Sequence, residues 1–146
     1  MQDYVLEKIE GYPLLRSDIP TRNGRLYTDE CLEVVLDTLQ DFIRFQAPVV
    51  AFNNSNDYCI ESDSVCGAVT KAVIKDHILY VDIDIIDTPA GRILFNLPAE
   101  TRLYFAPHGH KDKLIPERHG AVSYNKVVGY IFNYIEYVLF DPYFTD

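Results

Sequence analysis

Residues 65–97 read VCGAVTKAVIKDHILYVDIDIIDTPAGRILFNL, and this stretch decides the fold. Residues 77–86 alternate apolar and polar side chains, which is typical of a strand with one buried face. A second apolar run precedes them, so we predict a hairpin with its turn at Lys75-Asp76. Thr88-Pro89 then has the pattern of an N-cap followed by proline in the first turn, which predicts a short helix over residues 89–97.

Upstream of the hairpin, residues 29–45 have the clearest helical pattern. Thr28 is a suitable N-cap, and the acidic pair Asp29-Glu30 lies where the helix dipole favours negative charge. Apolar side chains recur at helical spacing at Leu32, Val35, Leu36, Leu39, Phe42 and Ile43. We therefore predict one long amphipathic helix over residues 29–45.

The rest of the chain predicts further strands and loops. Short strands are expected over residues 4–9, 49–52 and 102–106, and a polar loop over residues 107–120. A long aromatic-rich β segment is expected over residues 126–140, with large side chains on both faces. One face would then pack in the core while the other is available for contact with a protein.

The composition indicates one folded domain over residues 1–146. The chain is 48% hydrophobic, which is enough for a core, and no repeat or linker divides it. No apolar run approaches the roughly 20 residues of a membrane span, and no secretion signal is recognisable at the N-terminus. We expect a cytoplasmic protein without membrane contact.

The charge balance and the cysteines limit which partners and cofactors we expect. Acidic side chains number 22 against 13 basic ones, a net charge of -9, which argues against nucleic acid as the partner. Cys31, Cys59 and Cys66 match no zinc or redox spacing, so we expect free thiols and no cofactor.

Two groups of residues near the predicted 107–120 loop could carry chemistry. His108 and His110 would share a face in an extended chain and could begin a metal site, although His-x-His alone also fits a plain polar loop. Ser123 lies near His119 in sequence and could form a nucleophile–base pair, if the fold brings the two side chains together. Anion binding by histidine and lysine is a third alternative, for which the chain offers no glycine-rich phosphate loop.

Several short motifs, taken in order, resemble those of the maturation (prohead) proteases of tailed bacteriophages, whose fold is similar to that of the herpesvirus assembly proteases. They are RNGRLY at residues 22–27 before the long helix, GAV at 67–69, TPAGR at 88–92, VGY at 128–130 and VLFDP at 138–142. The resemblance spans most of the chain. It implies an α+β domain with a mostly antiparallel, barrel-like sheet, one long helix and one short helix.

The resemblance also identifies positions where this chain departs from the family. Family members have a histidine just after the strand that corresponds to residues 48–52, where this chain has Asn54 in an asparagine-rich run. They have the nucleophilic serine after the strand that corresponds to residues 102–105, where this chain has Ala106. An amide is no practical base and a methyl group is no nucleophile, so both catalytic positions are predicted to be degenerate.

These observations predict a non-catalytic, protease-like domain that binds proteins as a phage virion or assembly component. Its expected partners are phage structural proteins or a second copy of the chain, in the cytoplasm of the infected cell or in the virion. One alternative is an active serine hydrolase that uses His119 and Ser123. Another is a phage-encoded binder of a host protein or signalling ligand.

Overall fold

The computed structural model describes residues 4–98 and 100–143, apart from the side chain of His119. Within these residues it contains nine strands and two helices. The strands are β1 (Val5–Arg16), β2 (Arg25–Leu26), β3 (Val50–Ala51), β4 (Val65–Lys75), β5 (Ile78–Ile86), β6 (Tyr104–His110), β7 (Lys113–His119), β8 (Val122–Val128) and β9 (Ile131–Val138). The helices are α1 (Asp29–Arg44) and α2 (Pro89–Phe95), and a 3-10 turn covers Ser62–Ser64.

The predicted hairpin is present as β4 and β5, which pair antiparallel from Gly67↔Ile85 to Lys75↔Ile78. Its turn is Asp76-His77, one residue later than predicted. Both turn residues have positive φ, 52° and 67°, as a two-residue turn of type I′ requires. The alternation of side chains within β5 does not fix the position of the turn, because a turn at Lys75-Asp76 and one at Asp76-His77 are both compatible with it.

Both helices are confirmed, together with their N-caps. The hydroxyl of Thr28 accepts a hydrogen bond from the Cys31 N–H at 3.2 Å, and the hydroxyl of Thr88 accepts one from the Gly91 N–H at 2.9 Å. Helix α2 ends at Phe95, two residues before the predicted end. The buried side of α1 consists of Cys31, Leu32, Val35 and Leu39.

Six strands form one curled sheet in the order β1-β5-β4-β3-β9-β6, and the other three form a small sheet in the order β2-β8-β7. Only the β3–β9 and β2–β8 pairs are parallel among the pairs that the described residues form. The large sheet curls so far that its two edge strands, β1 and β6, contact each other. The predicted fold class, an α+β domain with a mostly antiparallel, barrel-like sheet, is confirmed.

Four strand predictions need correction. Strand β1 continues to Arg16 through irregular pairing rather than ending near residue 9, and β3 covers two residues rather than four. The predicted 107–120 loop is wrong, because β6 extends to His110 and β7 covers Lys113–His119. The predicted 126–140 segment is two strands that part at Gly129-Tyr130. The prolines and glycines of residues 107–120 suggested a loop, but edge strands tolerate proline where its nitrogen faces away from the sheet.

The three cysteines are free thiols, as expected: Cys31 and Cys66 are buried and Cys59 is exposed. Burial raises the pKa of the Cys66 thiol to about 12, so this thiol stays protonated and unreactive at neutral pH. No helix among the described residues is long and apolar enough to cross a membrane.

Candidate functional site

The centre of the candidate site is a row of three residues that crosses three neighbouring strands. Glu136 of β9 pairs with Ala51 of β3 on one side and with Ala106 of β6 on the other. Cross-strand partners point to the same face of a sheet, so the side chain of Glu136 leaves the sheet between those of Ala51 and Ala106. The position that the resemblance assigns to a serine nucleophile is therefore the cross-strand neighbour of a glutamate and carries no hydroxyl.

The chain that leaves β3 forms the 53–61 loop, which Asn54 braces from within. The side-chain amide of Asn54 donates hydrogen bonds to the carbonyls of Asn56 and Cys59 at 2.7 and 2.9 Å. Its side-chain oxygen accepts a hydrogen bond from the Glu61 N–H at 2.8 Å. Both ends of the amide group are thus used to hold the loop in shape.

The 53–61 loop lies over the β6–β9 ladder and contacts it at two aromatic side chains. The hydroxyl of Tyr134 on β9 donates a hydrogen bond to the Asn56 carbonyl at 3.0 Å. The ring of Tyr58 stacks on the ring of His110 on β6, with centroids 4.5 Å apart and planes 6° from parallel. The fold therefore brings the Asn54 loop and the strand of Ala106 together.

His108 makes a further contact between the same loop and the sheet. Its Nδ1 is 2.9 Å from a carboxylate oxygen of Glu136, and its Nε2 is 3.7 Å from a carboxylate oxygen of Asp57 in the loop. Its ring also stacks on Tyr134, at 4.6 Å between centroids. A carboxylate therefore faces each ring nitrogen of this histidine.

A bulge in β9 lies opposite the two histidines of β6. The ladder shifts register between His108 and Gly109, and Asn133 is the extra residue on β9. The Oδ1 of Asn133 lies 2.7 Å from Nδ1 of His110. A Cβ atom on Gly109 would lie only 2.1 Å from the Ile131 carbonyl oxygen, so only glycine fits between the histidines.

Burial keeps one tyrosine of the site neutral. Tyr134 is almost fully buried, and this burial raises the pKa of its hydroxyl, which stays a neutral donor to the loop. Among the described residues, no group of three or more histidine, cysteine, aspartate or glutamate side chains is placed to hold a metal ion. The two carboxylates near His108 lie at opposite ring nitrogens, so they do not converge on one point.

The alternative pair, His119 and Ser123, lies in the small sheet. Ser123 pairs with Arg118 across the β7–β8 hairpin, and the backbone of His119 pairs with Val122. Ser123 lines a shallow depression together with Glu117 and Tyr124. The side chain of His119 is outside the described residues, so a contact between the two remains a prediction.

Sequence reasoning missed the part that Asp57, Tyr58, Tyr134 and Glu136 play in this site. One signal was present in the sequence: Glu136 is the single charged residue within IFNYIEYV, the otherwise uncharged sequence of β9. A charge in such a strand usually has a partner or a function. The loop residues offered no comparable signal, because the Asn53–Asp57 run resembles an ordinary polar loop.

The curled sheet and the two helices define a fold of the phage capsid assembly protease class. Among solved structures, the chain is similar to the capsid assembly protease of bacteriophage T4, gp21, with a TM-score of 0.73 and 19% sequence identity. The match covers 92% of this chain and 91% of that chain. No protein-family model and no curated protein sequence matches the chain. At this identity the likeness establishes the fold.

Proposed function

We propose that this chain is a protease-fold domain without protease activity, and that it acts by binding proteins in a phage virion or during its assembly. The observation that carries the proposal is the row of Ala51, Glu136 and Ala106. Acyl transfer needs a nucleophile beside a base, and the position that the resemblance assigns to the nucleophile has a methyl group.

The state of Asn54 supports the same proposal. A general base needs a nitrogen or oxygen that is free to take a proton, whereas both ends of the Asn54 amide are used within the 53–61 loop. The position that the resemblance assigns to the catalytic histidine thus has a structural use in this chain. Loss of the base and loss of the nucleophile occur together.

The surface offers apolar area for a binding role. Leu139 and Phe140 follow β9 directly and are 73% and 70% exposed, and Ile131 at the other end of β9 is also exposed. Exposed apolar side chains of this size are typical of protein contacts when they lie close together. The net charge of -9 favours a partner whose contact face is basic or uncharged.

The first test is a cleavage assay. The purified chain is incubated with candidate capsid and scaffold proteins of a tailed phage, and we expect no cleavage products. Cleavage by the unmodified chain that is lost in Ser123→Ala or His119→Ala would overturn the proposal and favour the hydrolase alternative.

The second test measures binding directly. The immobilised chain is mixed with individual purified capsid, scaffold and tail proteins, and we expect one of them to be retained. The double variant Leu139→Ser and Phe140→Ser should lose this retention, while Val73→Ser, which changes a 46% exposed residue on β4, should keep it. Failure to retain any of the structural proteins would count against a virion or assembly role.

A further inference from the structure

The β7–β8 hairpin is anchored to the rest of the molecule at its base. There, Val127 is part of the hydrophobic core and Leu114 packs against that core. Strand β8 also packs against the two-residue strand β2, but no other helix or strand among the described residues makes an extended contact with either strand of the hairpin. The hairpin therefore projects from the body of the protein, and we call residues 111–126 the arm.

The arm has a net charge opposite in sign to that of the rest of the chain. It carries four basic side chains against two acidic ones, namely Lys111, Lys113, Arg118 and Lys126 against Asp112 and Glu117. The remaining residues, which form the body, carry 9 basic side chains against 20 acidic ones. A molecule with a net charge of -9 thus consists of an acidic body and a basic arm.

The body does not neutralise the lysines of its own arm. Lys126 pairs with Glu117 at 3.7 Å, and both residues belong to the arm. Lys111 and Lys113 are exposed, and neither forms an ion pair with another of the described residues. These two positive charges are therefore available to a second molecule.

One face of the arm combines positive charge with exposed apolar area. Lys113 and Ile115 lie on the same face of β7, and the cross-strand partner of Ile115 is Lys126. Ile115 is 36% exposed, and Val122 on the same face near the tip is 56% exposed. Such a face gains both from apolar burial and from attraction to an acidic partner. Pro116 offers no N–H at the outer edge of β7, so contact through this face is favoured over the addition of a strand.

We infer that the arm binds the acidic body of a second copy of this chain. A second copy supplies the complementary charge, because acidic side chains outnumber basic ones 20 to 9 in its body. Nucleic acid is the poorer partner, since the same body repels its phosphates. The contact joins different surfaces of the two copies, so it is head-to-tail and can extend beyond a dimer.

This contact uses a surface other than that of Leu139 and Phe140. It also does not depend on a role in phage assembly, since both of its surfaces belong to this chain. Failure of the capsid, scaffold and tail proteins to bind would therefore leave the inference standing, and failure of self-association would leave the proposed function standing.

The first experiment measures self-association by sedimentation velocity in low-salt buffer, where surface charges are least screened. The arm variant is Lys111→Glu with Lys113→Glu. The control is Lys71→Glu with Lys75→Glu, which changes two exposed lysines of β4 and lowers the net charge by the same amount. We expect the unmodified chain to associate between about 10 µM and 1 mM, the range of weak contacts. The Kd should rise about tenfold or more in the arm variant, because attraction becomes repulsion, and should not rise in the control.

The second experiment tests the head-to-tail geometry with a fluorescently labelled arm variant at trace concentration. Its body is intact, so it should bind to an excess of the unmodified chain with a Kd within about threefold of that for self-association, as loss of one of two equivalent contacts allows. It should not bind to an excess of the arm variant. Lys111→Gln with Lys113→Gln, which removes the charges without reversing them, should give an intermediate Kd and guards against a folding defect in the reversed variant.

Three results would overturn the inference. One is an unmodified chain that stays monomeric over the whole concentration range, including the case in which it binds duplex DNA through the arm lysines. Another is an equal loss of association in the arm variant and in the control. The third is a labelled arm variant that fails to bind the unmodified chain, since this would mean that arms contact arms.

Discussion

The hydroxyl of Tyr12 forms hydrogen bonds with both backbone groups of Phe105, as a neighbouring strand would. It accepts a hydrogen bond from the Phe105 N–H at 2.8 Å and donates one to the Phe105 carbonyl at 3.2 Å. Because Tyr12 is on β1 and Phe105 is on β6, this pair of bonds joins the two edge strands of the curled sheet. The Tyr143 hydroxyl does the same for Arg16, accepting from its N–H at 2.9 Å and donating to its carbonyl at 3.3 Å.

Removal of the Tyr12 hydroxyl should destabilise the closed sheet. Tyr12→Phe keeps the ring but leaves the N–H and carbonyl of Phe105 without this partner, so we expect a loss of about 1–3 kcal/mol in the free energy of unfolding. Urea denaturation measures this change. Tyr4→Phe, at an exposed tyrosine, is the control and should change the stability by less than about 0.5 kcal/mol.

The raised pKa of Tyr12 predicts that the fold loses stability at alkaline pH. Burial raises the pKa of Tyr12 to about 12 from its ordinary value of 10.0, so the unfolded chain releases this proton first as the pH rises. The contribution of Tyr12 is complete below pH 10.0 and declines as the pH rises towards about 12. Urea midpoints measured at intervals over this window should fall less steeply in Tyr12→Phe than in the unmodified chain.

The pair of His77 and Asp29 should titrate together at the surface. The carboxylate of Asp29, 2.9 Å from Nδ1 of His77, raises the pKa of His77 above its ordinary 6.5, and the histidine in turn lowers the pKa of Asp29. The stabilising effect on the folded state is complete between pH 3.8 and pH 6.5; it is lost as the pH rises through the raised pKa of His77 and as the pH falls through the lowered pKa of Asp29. An NMR titration of the His77 ring should show a lower pKa in Asp29→Asn, and Asp37→Asn should leave it unchanged.

Prolines protect the edges of both sheets from pairing with other molecules. The N–H of Asn125 donates to Gly24 on the β2 side, so its partner Pro116 on β7 faces outward and offers no donor at that edge. Pro107 on β6 faces outward in the same way, two residues from Phe105. We expect Pro116→Val to increase self-association, measured by sedimentation velocity over a range of concentrations. Pro20→Val, in a loop, is the control, and an unchanged monomer fraction in Pro116→Val would contradict this account.

The local elements could be predicted because their signals lie within a few residues. The N-caps Thr28 and Thr88, the apolar spacing of α1 and the alternation of β5 each express a backbone preference that does not need the rest of the chain. The same approach failed at residues 107–120. There, Pro107, Gly109 and Pro116 are typical of a loop in sequence, and only the position of β6 and β7 at sheet edges explains how strands accommodate them.

The residues of the candidate site could likewise be predicted only in part. The resemblance places Ala106 and Asn54 at the positions of the nucleophile and the histidine, which stays a prediction, and the spacing of His108 and His110 predicted that both lie on one face. Their partners could not be predicted, because Asp57 and Glu136 are 51 and 28 residues away from His108 along the chain. Only strand pairing and the course of the 53–61 loop bring such groups within ion-pair distance.

The sequence by itself determined the two capped helices and the β4–β5 hairpin, since short-range hydrogen bonding and side-chain periodicity specify these elements, and the order of its motifs implied the α+β class through the resemblance. The tertiary structure alone decided how the sheet closes on itself through Tyr12 and Phe105, and which loop covers the face that carries Ala106. The physical reason is that edge closure and loop docking depend on contacts between residues far apart in the chain. Such contacts form only when burial of the shared core has placed all the strands around it.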